Sequence, residues 1–141
     1  MGKVIVQNVV LKNNIDYHDV VRGHISEAAL RSQTVSMIAD TGARVVSLPK
    51  SIVEALGLPK SREVGVMLAN GQKEIRSLYG ELRLQIGDRE SVFDCIANSD
   101  EAPLLLGQIV LESLDFVVDC PHQRLVPNPE APPGMMLYDE F

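Results

Sequence analysis

Two stretches of this 141-residue chain follow one plan. Met37-Ile38-Ala39 is apolar, enters the turn Asp40-Thr41-Gly42, and leads to Ser51-Ile52-Val53-Glu54-Ala55-Leu56. Leu104-Leu105-Leu106 is apolar, ends in Gly107, and leads to Gln108-Ile109-Val110-Leu111-Glu112-Ser113-Leu114. Each unit reads as an apolar strand, a glycine-containing turn and a short amphipathic helix. Only the first copy carries an Asp at its turn. A match this short arises easily by chance, so its meaning depends on the rest of the chain.

The rest reads mainly as strand. Residues 3–12 (KVIVQNVVLK) are apolar and β-branched, with Asn13-Asn14 marking their end. Residues 15–32 form an excursion in which Asp16 could cap a helical turn ending at Gly23, and residues 26–30 could start another. Residues 33–39 return to strand. Residues 49–57 predict a helix, with Pro49 near its first turn and Gly57 as its stop. Residues 62–69 and 73–78 flank Asn70-Gly71, which predicts a hairpin closed by a type I′ turn. Tyr79-Gly80 interrupts the pattern. Residues 81–86 and 91–97 read as strands joined at Gly87-Asp88, and residues 98–103 as a polar loop. A helix over 108–114 and strands over 116–118 and 123–126 complete the series. Aromatic residues are only 4% of the chain and Trp is absent, so the core must be Val, Leu and Ile. The expected fold class is all-β, mainly strand with one or two short α-helices. One domain is expected over residues 1–128, followed by a Pro-rich C-terminal tail over 129–141, where PNPEAPPGMM suits neither a helix nor a strand interior.

A formal charge of −6 with no Lys/Arg cluster argues against nucleic acid and anionic membranes as partners. The apolar run at residues 4–11 is too short, and too interrupted by Gln7 and Asn8, for a signal peptide or a membrane span. A soluble, cytoplasmic protein is expected. Cys95 and Cys120 form no CxxC pair and are expected to be reduced thiols. His18, His24 and His122 lack metal-ligand spacing, so neither a metal nor an organic cofactor is expected.

A turn Asp most often bonds its own backbone. Here Ile38-Ala39 before it should be buried, so Asp40 emerges from the edge of the core with the Thr41 hydroxyl beside it. Peptide hydrolysis needs one group to activate a water and another to protonate the carbonyl oxygen, and two carboxylates sharing a proton can do both. The chain offers one such turn. A second carboxylate would therefore come from a second copy across a twofold axis. Aspartyl-phosphate chemistry of the haloacid-dehalogenase kind would want another Asp at position 42, which is Gly.

Asp40-Thr41-Gly42-Ala43, Ser47-Leu48-Pro49, Leu56-Gly57-Leu58, Leu68-Ala69-Asn70-Gly71 and Leu105-Leu106-Gly107-Gln108 occur in this order. Leu114-Asp115-Phe116-Val117-Val118-Asp119 and Gln123-Arg124-Leu125-Val126-Pro127-Asn128-Pro129 follow. In this ordered set, spanning roughly residues 33–130, the sequence resembles the retropepsin-like aspartic peptidases, particularly the small prokaryotic clan AA aspartic proteases. The resemblance implies a closed β-barrel with one lobe per chain and an aspartic endopeptidase active as a homodimer on peptide or protein substrates. Asp40 would be the catalytic aspartate, Thr41 would bond across the dimer axis, and Gly42 would hold the turn. Leu105, Leu106 and Gly107 would brace the catalytic loop. Ala43 and Arg44 would contact substrate, as would Ala69, Asn70 and Gly71 in a covering flap.

Three features depart from the pattern. Arg44 stands where a small hydroxyl residue is common, the flap candidate is not Gly-rich, and residues 15–32 and the tail have no counterpart in minimal viral enzymes. The alternative reading is a catalytically inactive dimeric module of the same fold that binds extended peptide segments. A cation at Arg44 would favour it by keeping both carboxylates ionised. Met135-Met136-Leu137-Tyr138 in the tail is apolar enough to pack on a partner chain.

Overall fold

The computed structural model describes residues 4–129. Strand β1 (Val4–Asn13) pairs antiparallel with β2 (Ser32–Ala39) on one side and with the far half of β5 (Lys73–Ile86) on the other. Asn8 sits at φ 59, and the β1–β2 register shifts between Val6 and Val9. The opening strand therefore carries a bulge at the Asn that interrupts its apolar run.

The first half of β5 pairs with β4 (Lys60–Met67), and most of β5 pairs with β6 (Arg89–Asn98) on its other side. Short β3 (Val46–Pro49) runs parallel to β6, giving the order β2-β1-β5-β6-β3, with β4 attached to β5. Parallel pairing needs a crossover, supplied here by the long excursion from β3 through the hairpin. A separate two-stranded sheet joins β7 (Phe116–Asp119) to β8 (Arg124–Pro127). Strand β8 begins one residue later than predicted because Gln123 turns at φ 52.

The architecture is mainly β. The described residues hold three short α-helices where one or two were expected: α1 (Asn14–Val21), α2 (Lys50–Ala55) and α3 (Gly107–Ser113). The additional helix lies in the excursion. Its cap is Asn13, not Asp16: the Asn13 side chain accepts the Asp16 N–H at 3.0 Å and donates to the Leu56 carbonyl at 2.9 Å, tying α1 to the end of α2. Asp16 is itself buried, and Arg31 grips it through Nε at 2.8 Å and Nη2 at 3.0 Å. These bonds hold its carboxyl below the usual carboxylate range against the opposing pull of burial.

The core is aliphatic, as the composition requires. Val4, Val9, Leu11, Val46, Leu48, Leu82 and Leu84 from the strands meet Leu56 at the end of α2 and Val110 and Leu114 from α3 and its end, all without solvent exposure. No helix among the described residues is long and apolar enough to cross a membrane. Of the tail expected at 129–141, residues 130–141 lie outside the described residues.

Candidate active site

Strand alternation places Met37 and Ala39 in the core and leaves Ile38 and Asp40 half-buried. Asp40 thus stands at the strand's end with an accessible carboxylate. Its Oδ1 accepts the Gly42 N–H at 2.9 Å, and its carbonyl accepts the Ala43 N–H at 3.1 Å. This is the turn bond that Asp ordinarily makes. It also fixes where the carboxylate sits. Gly42 has no left-handed φ, but a Cβ there would lie 3.2 Å from Asp40 Oδ1 and would press on the carboxylate. Asp40 makes no ion pair among the described residues. Thr41 is exposed.

The loop is held from behind by the second half-repeat. Leu105 forms a parallel bridge to Ile38 and an antiparallel one to Ser47. Ile38 N–H donates to the Leu104 carbonyl at 2.8 Å, Leu106 N–H to Ile38 at 2.9 Å, and Leu105 exchanges bonds of 2.9 and 3.0 Å with Ser47. One short segment therefore ties β2 to β3, the two ends of the sheet, on either side of the Asp40 loop. Leu106 beside it is fully buried. The first N–H groups of α3 then reach the loop itself, Gln108 donating to Ala43 at 2.8 Å and Ile109 to Arg44 at 3.1 Å. Gly107 makes this approach possible. It sits at φ 76, and a Cβ would lie 2.5 Å from the Val45 carbonyl oxygen.

Beyond the loop opens a groove of about 740 Å³. Ala43, Arg44, Ser47 and Leu105 form one wall. The facing wall is the β4–β5 hairpin, through Arg62, residues 64–67, Arg76 and Leu78, with Ile96 and Asn98 of β6 between. Four consecutive residues of β4 line the groove, and among the described residues β4 pairs with β5 alone. The groove therefore meets the strand's free edge, where backbone N–H and C=O groups can pair with an added strand.

The groove brings Ala43, Arg44 and Leu105 together; Asp40, Thr41 and Gly42, which precede Ala43 in the chain, do not line it, nor do Leu106 and Gly107. Ala69, Asn70 and Gly71 do not line it and lie exposed at the hairpin tip. The tip also differs from the predicted type I′ turn. Gly71 N–H donates to Leu68 at 2.9 Å, Leu68 N–H to Gln72 at 2.8 Å, and only Gly71 has positive φ, at 84. This is the three-residue loop with a bulged Gly, in which Asn70 need not be left-handed. Its side chain instead accepts the Gln72 N–H at 2.9 Å.

Sequence reasoning missed Arg62, residues 64–67 and Arg76. The hairpin signal located their strands, but alternation alone does not say which face meets the Asp40 loop. Arg76 is held by Glu74 at 3.0 Å and by Asn98 Oδ1 at 2.6 Å, while Asn98 also donates to Ser47 Oγ. Beneath the groove, burial first and then the neighbouring Asp94 charge push the Cys95 thiol up to about 12, so it is no nucleophile. No grouping of three or more His, Cys, Asp or Glu able to hold a metal occurs among the described residues.

A family model described as gag-polyprotein putative aspartyl protease matches residues 26–113, more than half of the chain. The match includes the Asp40 loop, the hairpin and the Leu105 brace, and ends before β7 and β8. No curated protein matches the chain.

Proposed function

The chain belongs to the gag-polyprotein putative aspartyl protease family, and from that premise we propose that it is an aspartic endopeptidase working as a homodimer. Asp40 from each copy would form the catalytic pair. The observation that carries this reading is a single Asp-Thr-Gly carboxylate, without an ion pair among the described residues, on a loop braced by Leu105, Leu106 and Gly107 beside a groove whose strand β4 has an edge unpaired among those residues. One carboxylate cannot complete the reaction alone.

In the dimer the two Asp40 carboxyls share one proton, because their closeness disfavours ionising both. The ionised member takes a proton from a water, whose oxygen attacks the peptide carbonyl carbon. The protonated member gives its proton to the carbonyl oxygen. In the collapse of the resulting diol, the carboxyl that took the water proton gives it to the amine nitrogen, the other carboxylate takes a proton from a diol hydroxyl, and the C–N bond breaks. Thr41, exposed at the turn, would bond across the axis beneath the pair. The substrate lies extended along the free edge of β4, with Ala43 and Arg44 opposite. The hairpin tip at Ala69, Asn70 and Gly71 closes over it as a flap.

The test is cleavage of a peptide library by wild type and Asp40→Asn from acidic to neutral pH, with sedimentation of both. Cleavage by a dimeric wild type and none by the variant is expected. Absence of cleavage, or cleavage that survives the substitution, sinks the peptidase reading. The second reading is a non-catalytic dimeric module that binds extended segments. It is favoured by the Arg44 cation four residues from Asp40, which would keep both carboxylates ionised. It predicts peptide binding by wild type with no turnover at any pH.

A further inference from the structure

The groove carries a charge pattern opposite to that of the chain. Against a formal charge of −6 overall, the charged residues of its wall are Arg44, Arg62 and Arg76, with no Asp or Glu among the described residues that line it. Two of these cations have acidic neighbours just outside the wall. Glu74 lies 3.0 Å from Arg76, and Asp94 lies 3.9 Å from Arg62, a looser pairing. Arg44 has no acidic partner within ion-pair distance among the described residues, and it is exposed on the wall nearest the Asp40 loop. Its backbone, by contrast, is fixed, because its carbonyl accepts the Ile109 N–H at 3.1 Å. The groove thus presents an exposed guanidinium fork on a fixed backbone, its donors unpaired among the described residues, backed by two partly neutralised arginines.

We infer that this groove selects extended peptides carrying an acidic side chain, Glu or Asp, which pairs with Arg44 as the backbone pairs with the free edge of β4. The inference rests on the peptide-binding part of the proposed function and specifies its substrate class. A peptide lying along the edge covers the Arg44 fork and strengthens a charge-assisted bond that would be weak in open water. A Gln in the same place offers an uncharged acceptor, and a Lys adds like charge. Arg44 acts here on specificity, since it touches the substrate side chain and not the reacting bond.

The test uses the non-hydrolysing Asp40→Asn full-length chain and fluorescent peptides capped at both ends, with Glu, Gln or Lys scanned through each position. Fluorescence anisotropy at low and high salt gives the affinities. At one position Glu should bind about tenfold tighter than Gln, and Lys weaker still. That ratio should shrink in high salt and collapse toward unity when Arg44→Gln is added. It should largely persist with Arg44→Lys, which separates lost charge from lost folding. Equal affinity for Glu and Gln at every position, a preference that survives Arg44→Gln, or no binding by any peptide overturns the inference. A preference seen only with uncapped peptides overturns it too, since the groove would then read a terminal carboxylate. Wild-type hydrolysis of the same set separates the two proposals. Cleavage without acidic preference removes the specificity alone, whereas acid-selective binding without cleavage removes the peptidase reading alone.

Discussion

Replacing Gly107 with Ala tests the brace behind the Asp40 loop. The left-handed backbone there, at φ 76, costs a non-glycine residue about 1–2 kcal/mol. The added Cβ would lie 2.5 Å from the Val45 carbonyl oxygen, 2.6 Å from its carbon and 3.0 Å from the Arg44 oxygen. Ordinary contact would need the loop backbone to retreat by roughly 1 Å. Backbone cannot swing aside as a side-chain tip can, so overpacking adds about 1–3 kcal/mol. The sum is about 3 kcal/mol, a fall of about 12 °C in Tm for a domain of this size. Gly23→Ala is the matched control. It shares a positive φ of 78, but nothing lies within 4 Å of its Cβ, so only the dihedral cost applies. Retreat of the loop would also strain the bonds from Gln108 and Ile109 to the Ala43 and Arg44 carbonyls. A catalytic group displaced by about 1 Å loses activity on the order of a hundredfold. Urea melts and peptide hydrolysis, run on both variants, give the answer. If Gly107→Ala loses no more stability than Gly23→Ala and keeps full activity, the brace does not position the loop.

Two further outcomes are expected. Asp16→Asn should cost about 1–2 kcal/mol, less than a fully buried pair because Arg31 is half-exposed and regains water. The folded pKa of Asp16 is depressed, so its contribution is present above about pH 4 and lost as pH falls through the lower folded value. Urea midpoints of wild type and variant should therefore differ at pH 7 and converge near pH 2; a gap independent of pH contradicts the pairing. A thiol reagent at pH 8 should label exposed Cys120 in the native protein and buried Cys95 only after denaturation. Equal labelling of both would refute the packing around Cys95.

Much of this was legible in the residues because period-2 alternation and turn chemistry are local. The strands expected over residues 33–39, 62–69 and 81–86 appear as parts of β2, β4 and β5, although β5 runs on through Tyr79-Gly80, where a break is expected, and Gly57 marks a helix end. The half-repeat matched Leu104-Leu105-Leu106 to the strand before the Asp40 turn, and the structure shows Leu105 bridging Ile38 and Ser47. What escaped depends on contacts distant in sequence. The parallel β3–β6 pairing joins segments nearly fifty residues apart. Asp16 read as a cap because its partner Arg31 lies across the whole excursion, leaving Asn13 to cap α1. Arg62 and Arg76 carry no signal of their own in the sequence, because only the folded hairpin brings them to the groove that Arg44 also lines.

The central claim is that one active site takes Asp40 from two chains. Its most direct measurement is peptide hydrolysis by a fixed amount of wild type mixed and re-equilibrated with rising amounts of Asp40→Asn. Mixed dimers would hold one competent carboxylate, so activity per wild-type chain should fall toward zero as the variant comes into excess. Hydrolysis that stays constant across the titration, or that never occurs with wild type alone, contradicts the shared pair.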